Sequence, residues 1–274
     1  MITFVLNSND LNQSLRRGNS SSRRYSHGSV GNSNFGWNIS GYDAGTSVDR
    51  INYSNDSIVA SVRAALSATM YRTTATGNSN FGYVGGSAAP IKSTIYRINY
   101  SNDTSTASAR GPLSSARGYI AATGNSNFGY FGGGSNPAIS IIDRIDYSND
   151  GSIATLRGSI NTNCNNRAAT SNLNFGYIGG GVFSPGSNFS TVDRIDFSND
   201  VATTSPRGPL SLARGALVAT GNSNFGYFGG SRIFPSGPTG SIVDRTSYSN
   251  DLSTALVRGP LSSVRYGLSA TGNS

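Results

Sequence analysis

The residues able to do chemistry come in a fixed pattern. Six aspartates end a YSND-like string, at Asp10, Asp56, Asp103, Asp150, Asp200 and Asp251, and an arginine follows seven residues after each, at Arg17, Arg63, Arg110, Arg157, Arg207 and Arg258. A second arginine closes an RGPLSSAR-like block at Arg24, Arg117, Arg214 and Arg265, where two other units carry Met70 and Cys164. Carboxylates and guanidiniums at fixed spacing can serve two ends. They can present a ring of charge to a polyanion, in keeping with a net charge of +8. Alternatively they tie the scaffold together through charge-assisted bonds, across a hairpin or between neighbouring units. Recurrence in every unit favours the tie, because a ligand-specific site rarely repeats with its scaffold. Only Arg16–Arg17 and Arg23–Arg24 stand as adjacent basic pairs, so nucleic acid is not an expected partner.

Other chemistry is short of material. The chain has no glutamate and only one each of Lys92, Gln13, His27 and Cys164. One cysteine cannot form an internal disulfide, and with a single histidine it cannot build a zinc cage or a two-histidine copper site. Asp146–Gly151 follows the opening of a calcium loop, but Arg157 stands where the closing carboxylate belongs. His27 reads as a solvated or hydrogen-bonded strand residue, and Cys164 has no evident base. The GG pairs end strands and no lysine follows them, so they are not phosphate loops. No catalytic residue, metal or cofactor is expected. No apolar run approaches the ~18 residues of a spanning helix, so no membrane insertion is expected. Met1–Asn9 is too short, and too polar beyond Leu6, for a signal peptide.

The elements that must position these residues are legible from a repeat. NSNFGY-like strings place Phe35, Phe81, Phe128, Phe175 and Phe225 at spacings of 46, 47, 47 and 50, and the units run to 51 residues by the aspartate count. Within a unit the apolar period is two, with Phe128 and Tyr130 on one face and Phe131 on the other. Asn, Ser, Gly and Asp separate the runs, as turn chemistry requires. Each unit reads as four short strands: A (Gly118–Thr123), B (Asn127–Gly133), C (Ile141–Tyr147) and D (about Ile153–Arg157). Four antiparallel strands per unit, repeated along the chain, predict an all-β propeller, and one propeller domain over 1–274.

The order GYFGG, DRIDYSND, RGPLSSAR resembles the kelch repeat over about nine-tenths of the chain, without the usual strand D tryptophan; the one tryptophan, Trp37, sits at the strand B tyrosine position. The wording NSNFGYFGG…VDRIDYSND also resembles repeats of virion-surface proteins of aquatic phages and viruses. The SND turns are similar to the Asp-box of sialidase propellers, where that box is structural. Five units have all four strands: Ser26–Arg63, Thr73–Arg110, Gly118–Arg157, Ala168–Arg207 and Gly215–Arg258. Residues 2–17 copy strands C and D, and 266–274 copy strand A. The expected fold is therefore a six-bladed propeller with kelch-like, four-stranded antiparallel blades. Its closing blade draws on both termini and lacks strand B.

Strand order sorts the loops onto two faces. The A–B and C–D turns are constant, whereas the B–C loop, counted from the strand B Phe to the strand C Arg, runs 15, 16, 16, 19 and 20 residues. Variation confined to one face marks the expected binding surface. Its longest loops, Gly181–Thr191 and Ser231–Ser241, carry Phe183, Phe189, Arg232, Ile233 and Phe234. Arg24, Arg117, Arg214 and Arg265 are candidate anion contacts at the channel rim. These features predict a non-enzymatic structural or adhesive module on a virion or appendage surface, or alternatively in the cytoplasm. Its expected partners are protein subunits of a larger assembly and a host-surface glycan. A soluble multivalent lectin is the alternative reading.

Overall fold

Each GNSN string folds as a tight turn because its first asparagine caps it. Asn32 Oδ1 accepts the backbone N–H groups of Asn34 and Phe35, both at 2.9 Å, and Asn78, Asn125, Asn172 and Asn222 repeat the arrangement. The side chain supplies the acceptor that a two-residue connection cannot provide from its own backbone. The SND turns use the same device: Asn99, Asp146 and Asp196 accept from the serine two residues on.

This computed structural model describes residues 2–5, 20–55, 59–135, 139–183 and 186–272. It contains five four-stranded antiparallel sheets, each in the chain order A-B-C-D. Blade one is Gly28–Gly31, Phe35–Ile39, Ser47–Asn52 and Ser61–Ala65, and blade two is Thr74–Gly77, Phe81–Ala88, Ile91–Asn99 and Ser108–Arg110. Blade three is Ala121–Gly124, Phe128–Gly132, Ile141–Asp146 and Thr155–Ser159. Blade four is Ala168–Ser171, Phe175–Gly179, Val192–Asp196 and Ser205–Arg207, and blade five is Val218–Gly221, Phe225–Arg232, Thr239–Ser247 and Leu256–Arg258.

The sixth position departs from expectation. There Ile2–Val5 pairs antiparallel with Ser269–Gly272, Ile2 opposite Gly272. In every complete blade the antiparallel partner of strand A is strand B. The C-like segment Ile2–Val5 therefore occupies a B place, because a C strand lying parallel to A needs a B strand between them. Among the described residues this sheet has two strands, so the fold has five complete blades rather than six. The strand D copy in 2–17 lies outside the described residues, as do Asp10, Arg17 and Asp56.

The core is a set of layers between blades rather than one central cluster. Val30, Trp37, Val84 and Ile98 fill the one–two interface, and Tyr83, Ile95, Phe131 and Ile145 the two–three interface. The next two layers are built likewise around Tyr130 and Ile178, and around Tyr177 and Phe228. In blades one to four the strand B aromatic stacks on the aromatic of the following blade's YSND string: Trp37 on Tyr100 at 4.1 Å, Tyr83 on Tyr147 at 4.8 Å, Tyr130 on Phe197 at 4.9 Å and Tyr177 on Tyr248 at 4.8 Å. Such pairs add about 0.5–1.5 kcal/mol each beyond area burial. The backbones also meet. A Cβ on Gly111 would lie 1.7 Å from the Ser152 carbonyl oxygen, so only glycine lets strand D's end donate to Asp150 O at 2.9 Å.

A ring of backbone hydrogen bonds closes the circle at the channel mouth. The residue at the start of each inner strand adopts left-handed φ: Ser26 (52°), Arg72 (55°), Tyr119 (58°), Asn166 (55°), Ala216 (52°) and Gly267 (66°). Each N–H donates to the carbonyl of its counterpart in the preceding unit. Arg72 bonds Ser26 at 3.1 Å, Tyr119 bonds Arg72 at 3.1 Å, Asn166 bonds Tyr119 at 3.3 Å, Ala216 bonds Asn166 at 3.0 Å and Gly267 bonds Ala216 at 3.3 Å. Ser26 completes the cycle by bonding Gly267 at 2.9 Å. Left-handed backbone costs about 1–2 kcal/mol at a residue with a Cβ, and these bonds hold it in place.

Candidate functional site

The repeated charges tie blades together. Asp103 accepts from Trp37 Nε1 at 2.9 Å and Arg50 at 3.1 Å, with Arg63 at 3.8 Å. Asp150 receives Tyr83, Arg97 and Arg110 at 2.8, 2.8 and 3.6 Å. Asp200 receives Tyr130, Arg144 and Arg157 at 2.9, 2.7 and 3.5 Å. Asp251 receives Tyr177, Arg194 and Arg207 at 3.0, 2.8 and 3.3 Å. All the donors belong to the preceding blade. The seven-residue Asp-to-Arg spacing is therefore not the contact: Arg110 pairs with Asp150, while Asp103, seven residues before it, pairs with Arg50 and Arg63. Each strand C arginine is also held flat, 4.2–4.5 Å over the strand B phenylalanine of its own blade. Trp37 is explained by the same clasp, since its indole N–H replaces the tyrosine hydroxyl. Tyr83, Tyr130 and Tyr177 have phenol pKa values raised by burial and by the carboxylate they bond, so they remain donors.

Three of the four rim arginines are not at the rim. Arg24, Arg117 and Arg214 are fully buried and pair with Asp49, Asp143 and Asp244 at 2.9, 2.8 and 2.8 Å inside their own blades. Buried guanidiniums need carboxylates, and strand C supplies them, so these arginines cannot serve as channel anion contacts. Arg265 stays half-buried and donates to Ser263. In blade four Cys164 takes the arginine's place, but Arg167 reaches Asp193 at 2.8 Å instead. Blade two lacks both charges, with Met70 and Tyr96 buried in their places. That paired loss is a signal internal to the repeats that sequence reasoning missed.

His27 is buried with Nε2 2.5 Å from Ser269 Oγ, and burial, with Arg24 nearby, lowers its pKa to about 3. Burial raises the Cys164 thiol. Neither side chain is poised as a base or nucleophile. Among the described residues no cluster of metal-ligating side chains occurs, and no helix is long and apolar enough to cross a membrane.

The variable loops converge on the channel mouth. Gly181–Thr191 contains a ribbon, Val182–Phe183 against Ser187–Asn188, and Ser231–Ser241 is a hairpin extension pairing Ser231 with Gly240 and Arg232 with Thr239. Asn188 joins them, donating to the Phe234 carbonyl at 2.8 Å and accepting from its N–H at 3.0 Å. Phe183 and Phe234, with Pro235, Arg72, Tyr119, Asn165 and Asn166, line a cavity of ≈ 380 Å³. Of the other loop residues, Phe189 is half-buried and bonds Gly181 and Arg214 through its backbone. Ile233 closes the hairpin tip, and Arg232 lies over Phe234 and Tyr266 at 5.0 and 5.3 Å. A triad of Tyr25, Tyr42 and Tyr71, with centroids 4.8–5.9 Å apart, continues the aromatic surface beside Arg72. Sequence reasoning missed Arg72, Tyr119 and this triad: all but Tyr42, which lies in the B–C loop of blade one, fall in the D–A junction, where the repeat is least regular.

Solved structures share this architecture. That of YjhT superposes with a TM-score of 0.74, covering 90% of this chain and 87% of its own, at 11% identity. At that identity the likeness is one of fold alone. No family model and no curated protein matches the sequence.

Proposed function

We propose that this chain is a non-catalytic recognition module that binds through the loop face, at the channel mouth. The observation that carries the reading is the joining of the two longest loops by Asn188 around a cavity lined by Phe183, Phe234, Tyr119 and Arg72. A ≈ 380 Å³ hollow with apolar walls and a few convergent polar groups has the character of a ligand site. The opposite face is made of near-identical turns whose asparagines and aspartates are already spent on their own backbone. It suits docking on a parent assembly. We read the whole as an adhesive or structural propeller of a virion or appendage, kelch-like in its repeats and closed by a sixth unit, with protein subunits beneath and a surface glycan above. Many weak copies on a particle would hold through avidity. The lectin alternative, with a site in every blade, is less favoured, because Tyr83, Tyr130 and Tyr177 are committed to the interfaces.

A glycan array tests the reading, probed with the parent protein and with a form in which Gly181–Thr191 and Ser231–Ser241 are shortened to the length of the other loops. Binding by the parent alone is the expected result. Equal binding by both forms would move recognition to the repeated blade positions, and no binding by either would overturn the reading.

A further inference from the structure

Among the described residues Arg72 is the cation that lines the cavity at the mouth, and no carboxylate meets its charge. The interior arginines Arg24, Arg117, Arg167 and Arg214 each meet a buried aspartate of their own blade. Blade two has Tyr96 where that aspartate would stand. Among the described residues Arg72 has no carboxylate partner, and its Nε is shielded from solvent without a hydrogen bond. Its guanidinium is instead held between two rings, 4.1 Å from the centroid of Tyr119 and 4.9 Å from that of Tyr71. Cation–π contact of this kind fixes the plane and leaves the N–H edge as the unsatisfied part. The chain also holds this long side chain at φ 55°, a conformation that favours small residues. Four of its five counterparts are Ser26, Asn166, Ala216 and Gly267.

The rest of the cavity supplies the complement of a sugar ring. Asn166 Nδ2 donates to Asn165 Oδ1 at 2.7 Å, leaving the Asn165 side-chain Nδ2 and the Asn166 side-chain Oδ1 to meet hydroxyls. Phe183 is 43% exposed, and with Phe234 it offers apolar faces. The geometry points to Arg72 as the anchor for the acidic group of a sugar, a carboxylate or a sulfate, with Asn165, Asn166, Phe183 and Phe234 receiving the ring. A guanidinium fork takes either group in bidentate fashion. This inference rests on the loop face being the binding face and adds the class of ligand.

The test is titration calorimetry of the full chain with three probes: a uronate-containing disaccharide without sulfate, a sulfated galactose without carboxylate, and lactose. At least one acidic probe should bind at least tenfold more tightly than lactose. Arg72→Gln should lose at least tenfold in that affinity and Arg72→Lys part of it, while Arg23→Gln, an exposed charge-matched change, stays within twofold. Circular dichroism confirms that each variant is folded. Preference for one acidic probe identifies its group as carboxylate or sulfate. Equal binding of lactose would overturn acid selection while leaving the loop face as the binding face. Acidic binding that survives Arg72→Gln but not loop shortening would overturn the role of Arg72 alone. Failure of every probe to bind the parent would overturn the inference, whereas a neutral hit on the array would preserve the loop-face reading.

Discussion

Asn188 and Phe234 belong to different blades, yet the side-chain amide of one grips the backbone of the other at both ends, at 2.8 and 3.0 Å. The contact turns two insertions into a single surface. Asn188→Ala removes both bonds and leaves the Phe234 N–H without its acceptor. The expected cost to global stability is about 1 kcal/mol, with faster amide exchange confined to residues 233–238. Unchanged exchange there would show that the loops hold their positions independently.

The inter-blade clasp predicts a larger effect. Asp200→Asn keeps the size of the acceptor but removes the charge shared by Tyr130, Arg144 and Arg157. Because the two arginines are about one-fifth exposed, the expected loss is about 2–3 kcal/mol, below that of a fully buried pair. Urea denaturation measures it. At blade one, Trp37→Tyr should be milder than Trp37→Phe, since only the tyrosine keeps a donor for Asp103; the reverse order would contradict the clasp.

Blade two tests the buried pairs by construction. Met70→Arg or Tyr96→Asp alone buries an unpaired charge, whereas the double change recreates the pair found at Arg117 and Asp143. A double-mutant cycle should give a favourable coupling of about 2 kcal/mol or more. Additive losses would mean that the two positions do not meet in this blade.

His27 sets the response to mild acid. Its pKa falls from about 6.5 when unfolded to about 3 when folded. Between those values the unfolded chain binds one more proton than the folded one. Stability is therefore full above pH 6.5 and drops by about 1.4 kcal/mol per pH unit as pH falls towards 3. The carboxylates held low by serine hydrogen bonds, Asp146 and Asp196, titrate below about pH 4 when unfolded. Burial raises the Asp193 carboxyl, so the histidine's share between pH 6.5 and 4.5 is read as the difference between the parent and His27→Gln, which leaves Asp193 in place. His27→Gln should flatten the slope of chemical-denaturation stability there; an unchanged slope would assign it elsewhere.

The blade architecture was legible because period-two strands and Asn/Asp turns are local. The repeat also showed that Asp and Arg belong together, but not which ones meet. Arg110 lies seven residues from Asp103 but pairs with Asp150, because partnership is decided by how blades pack, which linear spacing does not encode. Arg24, Arg117 and Arg214 were misplaced at the rim for a related reason. Their aspartates, about 25–30 residues on in strand C, draw them inward. Phe183 and Phe234 were found from loop length, whereas Arg72 and Tyr119 were not. They lie at left-handed backbone positions that no residue preference announces, in a junction whose wording changes from blade to blade.

The loop face as the site of recognition is tested most directly by hydrogen–deuterium exchange of the protein alone and with its best array glycan. The account predicts new protection in segments 71–72, 118–119, 165–166, 182–189 and 232–236, with the GNSN and SND turns unchanged. Protection of those turns, with none at the mouth, would contradict it.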